Sequence, residues 1–186
     1  GARAADGVVL VTTKSGSEGK TVVTYDFSYG LQNPWRKPSV LNATEYAIMM
    51  NEGMLNAGNA PIYDDPYSLG KGTDWVEAIF DKNAPVVKHD VNVSGGSKRV
   101  NYSVSGGYLS TKGTIGGRFD QSYYDRMTLR ENVGITLFDE SATRNWLNKL
   151  TFNNQISFAH IKSAGISANS EYGSPLGSAL GMSPLD

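Results

Sequence analysis

Two stretches of this chain alternate between apolar and polar residues for longer than a strand of an ordinary globular sheet. Thr21–Gln32 puts Val23, Tyr25, Phe27, Tyr29 and Leu31 on one face, and Val22, Thr24, Asp26, Ser28, Gly30 and Gln32 on the other. Tyr123–Phe138 sets Tyr123, Met127, Leu129, Val133, Ile135 and Leu137 against Arg126, Thr128, Arg130, Asn132 and Thr136, with Glu131 interrupting the apolar face. Period two over such a length predicts a strand with one apolar and one wet side. Globular strands average only ~5–6 residues. Polar faces carrying Asp, Arg, Asn and Gln on strands of that length suit a wet lumen, although a soluble β-sandwich also alternates.

Three further strands follow from the same pattern. Val86 or Val87 begins one, with Val87, His89, Val91 and Val93 opposite Lys88, Asp90, Asn92 and Ser94. Gly95-Gly96-Ser97-Lys98 reads as a tight hairpin turn into Arg99–Leu109, where Val100, Tyr102, Val104 and Tyr108 share a face. Trp146–Lys162 carries Trp146, Leu150, Phe152, Ile156 and Phe158 on its apolar side, with Asn154 as the exception. Between the first two strands, Asn33–Pro85 breaks the period. Asn42 followed by Glu45 forms a capping box for a helix over Ala43–Leu55. Thr73 is expected to cap a second short helix, Asp74–Phe80, and a third is expected near Leu176–Met182.

One stretch behaves differently. Gly7–Thr13 has four consecutive apolar, mostly β-branched residues without alternation, the pattern of a strand covered on both faces. Lys14–Lys20 after it is a polar turn.

The 186 residues carry a formal charge of −1, which gives no basic face for nucleic acid. There is no cysteine, so disulfides and thiolate metal sites are excluded. With 21 Gly, 10 Tyr and 6 Phe, the composition favours β structure. No apolar run approaches the ~20 residues of a membrane helix, but a membrane strand needs only ~9–11 and hides its signal by alternation.

Connection lengths choose between the two all-β solutions. Gly95–Lys98 and Asp139–Asn145 are short; Asn33–Pro85, Ser110–Ser122 and the stretch after Lys162 are longer. Short turns on one rim and long loops on the other belong to an up-and-down transmembrane barrel. Tyr29, Tyr108, Tyr123 and Phe158 then fall near the long-loop rim, where aromatic girdles sit. Five strands do not close a membrane barrel, whose minimum is about eight, so on this reading the chain is a piece of a larger one. The alternative is a soluble all-β glycan-binding module.

The residues also carry a family resemblance. Gly1-Ala2-Arg3-Ala4-Ala5-Asp6-Gly7-Val8-Val9-Leu10-Val11-Thr12-Thr13-Lys14 closely resembles the end of the plug domain in SusC/RagA-type TonB-dependent outer-membrane transporters, with Asp6 in place of a more usual Asn. Thr73-Asp74-Trp75, Val91–Gly96 leading into Asn101–Tyr108, Tyr124-Asp125-Arg126 and Ser183-Pro184-Leu185 are similar to stretches of the same family. The resemblance implies a plug end at 1–14, a linker at 15–20 and the N-terminal part of the barrel at 21–186, with a long outer loop at 33–85. It implies about five strands of a barrel of about 22, filled by the plug. It also implies import of a bulky nutrient, oligosaccharide or peptide, across a Bacteroidetes-type outer membrane. The implied partners are outer-membrane lipid, TonB, through a segment outside this chain, and a SusD-like surface lipoprotein.

An enzyme is not expected. His89 and His160 lie on apolar faces of different strands, no zinc-ligand spacing occurs, and no cofactor is implied. Candidate substrate contacts are the loop aromatics Trp35, Tyr63 and Tyr67, whose faces suit sugars or a protein partner. Trp75, on a capped helix, is expected to serve the loop's own core. Asp26, Arg126 and Arg130 are expected to face the lumen.

Overall fold

A computed structural model describes residues 16, 18–139, 146–167 and 173–185. The expected plug end lies outside these residues. Five strands, β1 (Gly19–Gln32), β2 (Ala84–Gly96), β3 (Val100–Lys112), β4 (Tyr123–Phe138) and β5 (Leu150–Ala164), form one antiparallel sheet in simple sequence order. That meander is what short hairpins and longer loops between alternating strands produce. Among the described residues, the connections hold three α-helices, α1 (Ala43–Asn56), α2 (Trp75–Ile79) and α3 (Pro175–Gly181), besides two 3-10 turns.

β2 begins at Ala84, so the first loop is two residues shorter than the alternation of valines indicates. Trp146 lies ahead of β5 and is 82% exposed, not part of the strand. The capping box of α1 forms: the Asn42 side chain accepts from the Glu45 amide at 2.9 Å, and the Asn42 amide donates to the Glu45 carboxylate at 3.0 Å. α2 is capped by Asp74, not Thr73. The Asp74 carboxylate accepts from the Glu77 amide at 2.8 Å and places negative charge at the helix N-terminus.

The contacts divide the chain into two units. The first is plain sheet: β1 as far as Ser28, β2 from Lys88, β3 as far as Leu109, β4 from Arg126 and β5 as far as Ile161. Its apolar side is open: Val23, Tyr25, Phe27, Met127, Leu129, Phe152, Ile156 and Phe158 are each about half exposed. An exposed apolar face of that extent is the mark of a surface that meets a membrane or a protein partner. On that side His89 bridges to β1, with Nδ1 2.7 Å from the Tyr25 hydroxyl and its ring 4.9 Å from that of Phe27.

The second unit gathers Tyr29–Val87, Ser110–Asp125 and the chain from Lys162 onward. It has its own small core, Val76, Phe80 and Ala179, with Val40, Trp75, Ile79, Ile115 and Leu176 packed around it. Three connections thus share one core. The Trp75 indole donates to the Ser183 carbonyl at 2.9 Å, and an isolated bridge pairs Phe80 with Ile115. No helix among the described residues is long and apolar enough to cross a membrane; strands are a separate matter.

Candidate functional site: the polar sheet face and the outer loops

The polar side of the sheet is set by alternation, and glycines leave room on it. A Cβ at Gly107 would lie 2.8 Å from both Asp90 Oδ1 and Thr128 Oγ1, so the middle of this face is a notch between the two side chains. Asp90 pairs with Lys88 at 2.5 Å, and Ser103 donates to Asn92 at 3.1 Å. A groove of about 540 Å³ is lined by Asn92, Ser103, Ser105, Arg130, Glu131, Asn132, Gln155, Ile156 and Ser157, so its lining includes one basic and one acidic residue. Hydroxyls and amides bind hydroxyl-rich or peptide groups through hydrogen bonds. Arg130 supplies the groove's cation. Arg126 and Arg130 flank Thr128 at two-residue spacing, and both are exposed. Asp26 is exposed on β1. None of the three is held in an ion pair by the described residues.

In the loop unit, Asp81 is the organising acid. It is 7% exposed; Oδ1 meets Arg118 Nε at 2.8 Å and Oδ2 accepts from the Arg118 amide at 3.1 Å. Arg118 also donates to the Ala78 carbonyl at 2.7 Å. This fork ties the β3–β4 loop to the end of α2. Glu77 accepts from Lys37 and from Lys82, the latter at 2.7 Å, and these two bonds hold its carboxyl down to about 2. Lys112 pairs with Asp120. A cleft of about 660 Å³ is lined by Glu77, Asp81, Asp120, Lys82, Lys112 and Arg118, with Phe80 and Pro85 among its apolar residues.

The loop aromatics do not converge. Trp35 is 94% and Tyr67 79% exposed. Tyr63 is half-buried, with its backbone amide and carbonyl both bonded to the Asn51 side chain at 2.9 and 2.8 Å. None of the three lines the two clefts just described. Phe119, not singled out from the sequence, is 68% exposed under the Arg118 guanidinium at 5.1 Å. Its only sequence signal is its place in a Gly-rich loop, Gly116-Gly117-Arg118-Phe119-Asp120.

No family model matches the chain. In sequence it is similar to the TonB-dependent receptor SusC of Bacteroides thetaiotaomicron, 29% identical over 99% of this chain and 16% of SusC. It is also similar to the TonB-dependent receptor P26 of Formosa agariphila, 31% identical over 77% of this chain and 14% of that protein. The chain thus spans about one sixth of the length of the curated relatives it matches. In fold it superposes on the RagAB peptide transporter with a TM-score of 0.65 at 24% identity, covering 94% of this chain and 22% of that one. The RagAB peptide importer in its closed-closed state gives 0.59 at 23%, covering 88% and 20%. The long two-sided strands, the uneven loops and these likenesses together make the chain similar to a segment of SusC/RagA-type TonB-dependent receptors, with the fold of five antiparallel strands of such an outer-membrane β-barrel.

Proposed function

We propose that the full protein imports a bulky nutrient, an oligosaccharide or a peptide, across the outer membrane, energised through TonB and assisted by a SusD-like surface lipoprotein. The observation that carries this reading is the sheet itself: five long strands in meander order, apolar and exposed on one side and hydroxyl- and amide-rich on the other. A wall of that kind separates lipid from a wet channel. SusC is named as a TonB-dependent receptor and RagAB as a peptide transporter; both are consistent with import rather than catalysis.

Within this reading, residues 1–14 end the plug, 15–20 link it to the barrel and 21–186 begin the barrel wall. Gly16 supports the placement of the linker. It is buried against the backbone of Tyr102 and the Gly95 carbonyl, where a Cβ would collide with both. Asp26, Arg126 and Arg130 line the channel or meet the plug. Trp35, Tyr63 and Tyr67 offer stacking faces to substrate or to the lipoprotein on the outer side.

The test is uptake of labelled oligosaccharides and peptides by cells with and without the full protein, with the inner-membrane proton gradient intact or collapsed. Gradient-dependent uptake of one class, lost on deletion, is expected. Equal uptake of both classes without the protein overturns the reading.

A further inference from the structure

The two arginines on the wet face of β4, Arg126 and Arg130, have different neighbours, and the register of the sheet shows which. The Gly113 amide donates to the Ser122 carbonyl and the Thr136 amide to the Arg99 carbonyl, one unbroken pairing of β3 with β4 from end to end. Within it Gly107 faces Thr128, and Gly134 faces Asn101 on one side and Asn153 of β5 on the other. Counted from these points, Arg130 stands between Ser105 and Ser157, whereas Arg126 stands between Leu109 and Ile161. Alternation turns the side chains of Glu131 and Ile156 to the opposite face, so the groove meets these two residues at their backbone.

The groove of about 540 Å³ therefore presents the Arg130 guanidinium among neutral hydroxyls and amides. Among the described residues no carboxylate pairs with it. Of the wet-face carboxylates, Asp90 on β2 is held by Lys88 at 2.5 Å, and Asp26 lies one strand further away on β1. The side-chain oxygen of Asn92 is already used by Ser103, which donates to it at 3.1 Å. What the guanidinium lacks is a planar oxyanion, to which its fork of N–H groups donates two parallel bonds. Directly opposite residues on neighbouring strands lie ~4.5–5.5 Å apart, so the Ser105 and Ser157 hydroxyls reach the oxygens of an anion seated on Arg130. Arg126 has apolar neighbours in their place.

We infer that this groove binds a carboxylate of the imported substrate, with Arg130 as the fork and Ser105 and Ser157 as flanking donors. The inference deepens the import reading and rests on it. Two kinds of substrate bring this chemistry: an oligosaccharide with uronic acid rings and a peptide with acidic side chains. The hydroxyl and amides of Asn92, Ser103 and Gln155 suit the neutral remainder of either. A neutral substrate would leave the guanidinium without its anion.

The test uses the full-length protein in detergent. Heat-modifiable migration is checked first; its absence overturns the outer-membrane reading on which import rests, and this inference with it. Binding is then measured by isothermal titration with two matched pairs of probes. One is a galacturonic acid oligomer against its methyl ester; the other is a glutamate-containing peptide against its glutamine counterpart, both amidated. Wild type is expected to bind the acidic member of at least one pair about fivefold tighter or more, the scale of a charge-assisted hydrogen bond in a wet site. Which pair shows the preference tells the sugar source from the peptide source. Arg130→Gln should lose the preference, and Arg130→Lys, which keeps the charge without the fork, should keep part of it. Lys162→Gln, exposed on β5 and outside the groove, should leave it unchanged. A correctly folded wild-type barrel with no preference in either pair overturns the inference while the barrel reading stands. So does an undiminished preference in Arg130→Gln, or an equal loss in Lys162→Gln, which would mark a general attraction of anions.

Discussion

The Tyr102 hydroxyl on β3 meets Thr21 Oγ1 on β1 at 2.5 Å, although β2 runs between the two strands. Gly95 of β2 makes the reach possible. A Cβ there would lie 2.8 Å from the Tyr102 hydroxyl and 3.0 Å from the Thr21 Cα. The tyrosine ring fills the place of the missing side chain and ties three strands near the β2–β3 turn, a use of aromatic residues over sheet glycines that also pins register.

Gly95→Val should therefore expel the tyrosine and slow barrel assembly, with Gly95→Ala milder. Tyr102→Phe keeps the ring and loses one exposed hydrogen bond, worth about 0.5–1.5 kcal/mol at most. The temperature at which the full-length barrel loses its compact, fast-migrating form on a gel should fall in the order wild type, Tyr102→Phe, Gly95→Val. A Gly95→Val barrel as heat-resistant as wild type would show that the ring does not need that gap.

Phe27→Asp should impair assembly by placing a carboxylate beside His89 on the lipid face. Basic residues at the midplane of such barrels cost roughly 2–4 kcal/mol and acidic ones less, so a loss of about 1–2 kcal/mol is expected. Ser28→Asp, on the wet side of the same strand, should be tolerated. Comparing outer-membrane levels of the two variants checks the assignment of faces.

Val76 is 1% exposed at the centre of the loop core. Val76→Ala removes two methyl groups and should cost about 1–3 kcal/mol of loop-unit stability. The consequence should be faster surface proteolysis of the first and second long loops on intact cells. An unchanged proteolysis rate would mean that these connections are not ordered by a common core.

The Glu77 carboxyl is held at about 2 by its hydrogen bonds to Lys37 and Lys82, against an ordinary 4.5. A depressed carboxyl stabilises the folded loops fully above the ordinary value. That contribution fades as pH falls from 4.5 and is gone below about 2. Protease resistance of the loops should therefore decline in that window more steeply in wild type than in Glu77→Gln. Parallel profiles for the two proteins would place the acid sensitivity elsewhere.

The strands were legible because their period is long and regular. Tyr123–Phe138 has the expected limits, and the others shift by a few residues at their ends. α1 announced itself through Asn42 and Glu45, a local device needing no tertiary partner. Asp81 gave no such sign. Its burial and its fork with Arg118 depend on a loop that arrives 37 residues later, a relationship no local pattern encodes. Phe119 escaped for a related reason: its place under the Arg118 guanidinium is a feature of the folded loop. Asp74 displaced Thr73 as the cap because either residue satisfies the sequence rule, and the position of the first helical turn decides between them.

The most direct test of the wall is thiol labelling of the full-length barrel with single cysteines at Tyr25 and Asp26, adjacent residues of β1. A cysteine at 25 should react with a bilayer-soluble maleimide and resist a charged, water-soluble methanethiosulfonate. A cysteine at 26 should do the reverse. Equal reaction of both positions with the water-soluble reagent would contradict a strand that divides lipid from channel.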